Sequence, residues 1–121
     1  MTSKELVQQY YDNLAQKNEA WQSLFADDMT FSDSAMNMNE AGKDAVINSF
    51  NQFLKSIEDL RVKLMVAENE TVIAIVSYDY VNQHEEKMNQ DVAEVWQVKD
   101  GKLSSLVLYF DFTAFRNFIR R

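Results

Sequence analysis

Residues 60–81 read LRVKLMVAENETVIAIVSYDYV, and their apolar side chains recur at every second position. Leu60, Val62, Leu64 and Val66 alternate with Arg61, Lys63 and Met65, the period of a strand that buries one face. Glu68, Asn69 and Glu70 supply a tight turn, and Thr71 to Val81 is the returning strand. The same period continues downstream. After a polar connection from Asn82 to Gln90, the residues Val92, Glu94, Trp96 and Val98 share one strand face. Asp100-Gly101 is a hairpin signal, and the last strand is expected from about Leu103 to Phe112. The tail from Thr113 to Arg121 fits one short helical turn with Phe115, Phe118 and Ile119 inward.

Upstream of residue 60 the apolar period is that of a helix. From Lys4 to Gln16, Leu6, Val7, Tyr10, Tyr11 and Leu14 fall on one helical face, and Thr2 with Glu5 forms a capping box. Trp21, Leu24 and Phe25 mark a short second helix that ends at Asp27 and Asp28. Met29, Phe31 and Asp33 alternate with Thr30 and Ser32 as a short strand, and Ser34 to Gly42 reads as a loop. A helix from Lys43 buries Val46, Ile47, Phe50, Phe53 and Leu54. Helical segments first and long strands after them predict a single α+β domain over residues 1–121, with helices on one face of a curved antiparallel sheet. Where helices leave the concave side of such a sheet uncovered, an apolar pocket is expected.

The 121 residues are 46% hydrophobic and 26% charged, ordinary globular usage that leaves enough apolar material for a core. The absence of cysteine excludes disulfides, thiolate metal sites and a cysteine nucleophile. With one histidine and no EF-hand spacing of carboxylates, neither a metal nor another cofactor is expected. A net charge of -7 opposes binding to nucleic acid or to an anionic membrane and favours a small neutral or cationic ligand. No stretch has the length of a membrane span or the character of a signal peptide, so a cytoplasmic location is expected.

Three pieces of the chain resemble the nuclear transport factor 2-like superfamily, in its SnoaL-like and ketosteroid isomerase-like branches. Leu24-Phe25-Ala26-Asp27-Asp28-Met29-Thr30-Phe31-Ser32-Asp33 is similar to the family's YADD signature, which closes on Asp-Pro. Gly42 to Phe50 is similar to its helix start, and Asp91 to Trp96, Asp100-Gly101-Lys102 and Leu108-Tyr109-Phe110-Asp111 are similar to its final hairpin. Two positions depart from the signature: Phe25 replaces its tyrosine and Ser34 its proline. The resemblance implies a cone of helices around a strongly curved sheet, with an interior pocket and homodimerisation through the sheet. Tyr78, Tyr80 and Val95 are expected on the outward face.

The resemblance also implies roles. Asp33 falls at the position of the isomerases' general base; a turn aspartate bonding backbone amides is the alternative. Glu94 falls where a protonated acid donates to the developing oxyanion, and Tyr10 where a phenol completes that oxyanion hole. The residues alone already single out Glu94. Its neighbours two away are Val92 and Trp96, so its carboxyl faces the apolar side and must be paired, protonated or in a cavity. Pairing with Lys63 or Arg61 on the adjacent strand is the alternative there, and a core position with its hydroxyl at the edge is the alternative for Tyr10. Asp111 matches the acid/base aspartate of the cyclases. His84 reads as a solvated loop residue, and Arg61 as a solvent-facing strand residue rather than part of an epoxide-hydrolase site.

Trp21, Phe31, Met36, Phe50, Phe53, Trp96 and Phe110 are candidates for lining the pocket around a small hydrophobic molecule. Two functions fit these features. One is a cofactor-independent isomerase or cyclase acting on a hydrophobic carbonyl compound; the other is a non-catalytic ligand-binding or protein-interaction module of the same fold.

Overall fold

The structure, a computed structural model, describes residues 1–33 and 38–121. Met36 therefore lies outside the described residues. The first helix, α1, is Ser3–Ala15. The capping box is present: the Glu5 amide donates to Thr2 Oγ1 at 3.1 Å, and the Thr2 amide donates to Glu5 Oε1 at 2.8 Å. A 3-10 helix, Glu19–Leu24, replaces the second α-helix and buries Trp21. It is followed by β1, Phe25–Asp33, so Asp27 and Asp28 lie inside a strand rather than ending a helix. A short strand, β2 (Met38–Ala41), occupies the end of the stretch expected to be a loop. Helix α2 is Lys43–Leu54.

The long strands are β3 (Ile57–Glu68), β4 (Thr71–Val81), β5 (Lys87–Lys99) and β6 (Lys102–Tyr109). A C-terminal helix, α3, covers Phe112–Ile119. Asp100 and Gly101 both take positive φ, 52° and 74°, the backbone that a two-residue hairpin twisted like its strands requires. Among the described residues no helix is long and apolar enough to cross a membrane.

One mixed sheet runs in the order β2-β1-β6-β5-β4-β3. All its ladders are antiparallel except β1 with β6, which is parallel. That pair corrects the expectation of a purely antiparallel sheet and leaves the α+β class intact. All three α-helices cover the same face. Tyr10 of α1 packs on Trp96, Phe50 of α2 on Phe25 and Phe31, and Phe115 of α3 on Tyr80.

A bulge between Val62 and Leu64 decides what the other face carries. Val62 pairs with Val76 but Leu64 pairs with Ile75, so Lys63 is an extra residue in β3. Because side chains alternate, one extra residue exchanges the faces beyond it. Leu60 stays buried, whereas Leu64 and Val66 are 56% and 50% exposed, although unbroken alternation would bury all of them together. Tyr78 and Tyr80 correct the outward expectation in the opposite sense: both are buried on the helix-covered face, and the half-buried Val95 is on the outer one.

Candidate functional site

Between the sheet and the helices lies a cavity of about 690 Å³. Its floor is the inner face of β6 and β5, through Leu106, Leu108 and Glu94, and its walls are largely aromatic. Phe31 comes from β1, Phe50 and Phe53 from α2, Tyr78 from β4, and Phe110 and Phe115 from the C-terminal segment. Polar residues concentrate toward the exposed end of α2 and the β4–β5 connection: Gln52, Lys55, Asn82 and Gln83. Among the described lining residues, Glu94 and Lys55 are the charged ones.

Glu94 is 2% exposed and has no ion-pair partner among the described residues; Lys63 pairs with Asp91 and Arg61 with Asp79 instead. Two phenols meet its carboxyl. Tyr11 Oη donates to Glu94 Oε1 at 2.5 Å, and Tyr78 Oη donates to Oε2 at 2.8 Å. Trp96 Nε1 donates to Tyr11 Oη at 2.9 Å, so that phenol is fully oriented. Burial pushes the Glu94 carboxyl up to about 7, opposed by the hydrogen bonds from the two phenols, which favour the ionised form. Burial, with the nearby Glu94 charge added, holds the phenols of Tyr10, Tyr11 and Tyr78 well above the usual tyrosine range.

This arrangement has a chemical consequence. Because both carboxyl oxygens already accept a phenolic hydrogen, the ionised form keeps further lone pairs for a visitor. In the neutral form one carboxyl oxygen carries a proton that it can donate. Near neutral pH the cavity thus holds one group able either to accept or to donate.

Asp33 is completely buried at the end of β1, on the same strand face as Phe31. Its backbone pairs with Leu108, and Leu108 pairs on its other side with Glu94. The two carboxyl residues therefore flank Leu108 in one row of the inner face. At a strand spacing of about 4.8 Å, their Cα atoms are roughly 10 Å apart.

The remaining candidates separate. Phe31, Phe50, Phe53 and Phe110 line the cavity; Trp21 and Trp96 are buried in the core behind it. Tyr10 also lines the cavity, in edge contact with the Trp96 ring at 4.7 Å, while the phenols that bond Glu94 belong to Tyr11 and Tyr78. A sequence signal for Tyr11 existed in its position on the apolar face of α1, but nothing local distinguishes it from Tyr10.

Asp111 is a correction. The last strand stops at Tyr109, and Asp111 is an exposed N-cap whose side chain accepts from the Ala114 amide at 3.0 Å. His84 is exposed in the β4–β5 connection, as expected. No group of three or more His, Cys, Asp or Glu side chains among the described residues is placed to hold a metal.

A family model described as a SnoaL-like domain matches residues 7–106. Solved structures share the fold at low sequence identity. TerC, co-crystallised with polyporic acid, superposes with a TM-score of 0.84 at 15% identity, covering 98% of each chain. An NTF2-like protein from Burkholderia thailandensis gives 0.84 at 17% identity, covering 97% of this chain and 96% of its own. A protein with a ketosteroid isomerase-like fold from Catenulispora acidiphila, in complex with trimethylamine, gives 0.81 at 16%, covering 99% and 95%. No curated protein matches the sequence.

Proposed function

Because the chain belongs to the SnoaL-like family, we propose that it binds a small hydrophobic carbonyl compound in this cavity and acts on it by carboxylate acid–base chemistry. The observation that supports the reading most is Glu94: a carboxyl in an aromatic cavity, held by two phenols and raised by burial to about 7. Neutral Glu94 donates a hydrogen bond to the substrate carbonyl oxygen. Asp33, beside Leu108 in the same row of the sheet, takes the role of base and in carboxylate form removes a proton from the adjacent carbon; that C–H pair becomes the enolate double bond, and the carbonyl oxygen takes up the negative charge. Where the substrate carries a double bond conjugated with the enolate, return of the proton from Asp33 to the far carbon of that double bond completes an isomerisation. Tyr11 and Tyr78 hold the Glu94 carboxyl in place, and Tyr10 is part of the aromatic wall.

Deuterium exchange tests this without knowledge of the natural substrate. In D₂O the protein is expected to accelerate exchange of the α-protons of 2-tetralone. Asp33→Asn should reduce the acceleration by roughly 10²-fold or more, and Glu94→Gln by roughly tenfold or more. Binding of 2-tetralone with no acceleration would replace this reading with the non-catalytic binding module.

The outer face supports a second copy as partner. Leu64, Ile75, Ala93 and Tyr109 form one apolar row across β3, β4, β5 and β6, and Val66, Ile73, Val95 and Val107 form the next. Leu64, Val66, Ile73 and Tyr109 are exposed, which is unusual for contiguous apolar side chains on a monomer. Sedimentation should give a dimer at micromolar concentration that Ile73→Asp converts to monomer.

A further inference from the structure

We propose that the same cavity also takes hydrophobic organic cations, amines in protonated or quaternary form, against the ionised Glu94 carboxylate and the surrounding aromatic faces. The inference rests on the reading of this cavity as the binding site with Glu94 at its polar centre. It adds a ligand class that the carbonyl chemistry does not call for.

Four observations lead to it. First, a carboxylate in an apolar interior is normally matched by a buried cation, and here its partners are two neutral phenols. The groups around it are Tyr10 and Tyr11 from α1, Tyr78 and Tyr80 from β4 and Trp96 from β5, with Asp33 of β1 two strands away in the same row. None of these carries positive charge. Second, the basic residue lining the cavity, Lys55, is an exposed side chain at the end of α2, its Nζ 3.5 Å from Gln52 Oε1. Third, the wall presents Phe31, Phe50, Phe53, Tyr78, Phe110 and Phe115, and aromatic faces stabilise an organic cation most when water is excluded. Fourth, the net charge of -7 draws cations toward the protein.

The two ligand classes then belong to two protonation states of one site. Neutral Glu94 serves a carbonyl; ionised Glu94 serves a cation. Burial raises this carboxyl to about 7, so the population of the two states changes around neutrality. By linkage, a bound cation draws that value down again.

Benzyltrimethylammonium and its neutral isostere neopentylbenzene separate the possibilities, with binding followed by titration calorimetry. The cation is expected to bind roughly thirtyfold more tightly at about pH 8.5 than at about pH 5.5, following ionisation of a group near 7. Neopentylbenzene should show no such dependence. In Glu94→Gln the cation should bind at least about tenfold more weakly and lose its pH dependence, while retained neopentylbenzene binding shows that the cavity is intact. Cation binding that is independent of pH or unchanged in Glu94→Gln overturns the proposal. If neopentylbenzene binds and the cation does not, the cation proposal fails and the cavity reading stands. If neither binds, both fail.

Discussion

Strands β4 and β5 carry carboxylates on both faces, and the two faces treat them in opposite ways. On the outer face Asp79 accepts from Arg61 at 3.0 Å and from Asn89 at 2.8 Å, and Lys63 pairs with Asp91 at 2.8 Å. The Arg61 guanidinium holds the Asp79 carboxyl below the usual range. On the inner face Glu94 has phenols instead of cations, and burial raises it to about 7. Asp91 and Glu94 stand on the same strand only three residues apart, yet one is solvated and cation-paired while the other is withdrawn from water. For Asp79 and Glu94 the direction of the shift follows the side of the sheet each leaves from. A carboxyl with a raised value is made by leaving out a cation as much as by burying an acid.

The largest expected effect comes from removing the inner carboxyl. In the fold Glu94 titrates near 7 and in the unfolded chain near 4.5, so the folded state retains its proton more strongly. The resulting stability is fully present below about pH 4.5 and is lost as pH rises through about 7. The wild-type protein, compared with Glu94→Gln, should lose on the order of 3 kcal/mol of relative stability across that window. Urea unfolding of both proteins at a series of pH values measures it, and a constant difference between them would contradict the buried-acid description.

Tyr11→Phe sharpens the comparison by taking away one donor. It removes the hydrogen bond to Glu94 Oε1 and leaves Trp96 Nε1 without its acceptor, at a cost of about 1–3 kcal/mol. The Glu94 titration, followed by carboxyl NMR, should move further up. The smallest effect belongs to the outer face. Arg61→Gln should move the Asp79 titration up, with the Asn89 hydrogen bond still holding it down, while barely moving the unfolding midpoint, and about 1 M salt should erase what stability difference remains.

Much of this contrast was legible in the chain. Alternation placed Glu94 between Val92 and Trp96 on the inner face, and put Arg61 and Lys63 in solvent. The same rule, applied to Ser77 and Asp79, puts Tyr78 and Tyr80 inside, against the outward placement taken from the resemblance. Asp33 came with the parity of Phe31. Other features depend on distant partners. The Lys63 bulge is a property of how β3 meets β4, and no local pattern marks it.

Selection of Tyr11 rather than Tyr10 depends on which of two phenols packed over β5 reaches the Glu94 carboxyl, a long-range choice that helical periodicity leaves open. Asp111 was misplaced because an aspartate after a strand and an aspartate before a helix look alike until the strand's end is known. The short strand β2 hid in a polar segment because it owes its existence to the edge that β1 offers.

The parallel ladder between β1 and β6 also governs how the molecule is assembled in time. The β3–β4–β5–β6 meander joins neighbours in sequence through short connections, so its contacts close small loops. The row that brings Asp33 beside Leu108 and Glu94 instead joins β1 to β6, strands far apart in sequence. Contacts of such high sequence separation carry the greatest loop-closure entropy and slow folding. A truncated or still-emerging chain that lacks β6 has no strand on that side of β1 for Asp33 to pair with. The geometry of the two carboxyls therefore waits on a strand synthesised well after β1.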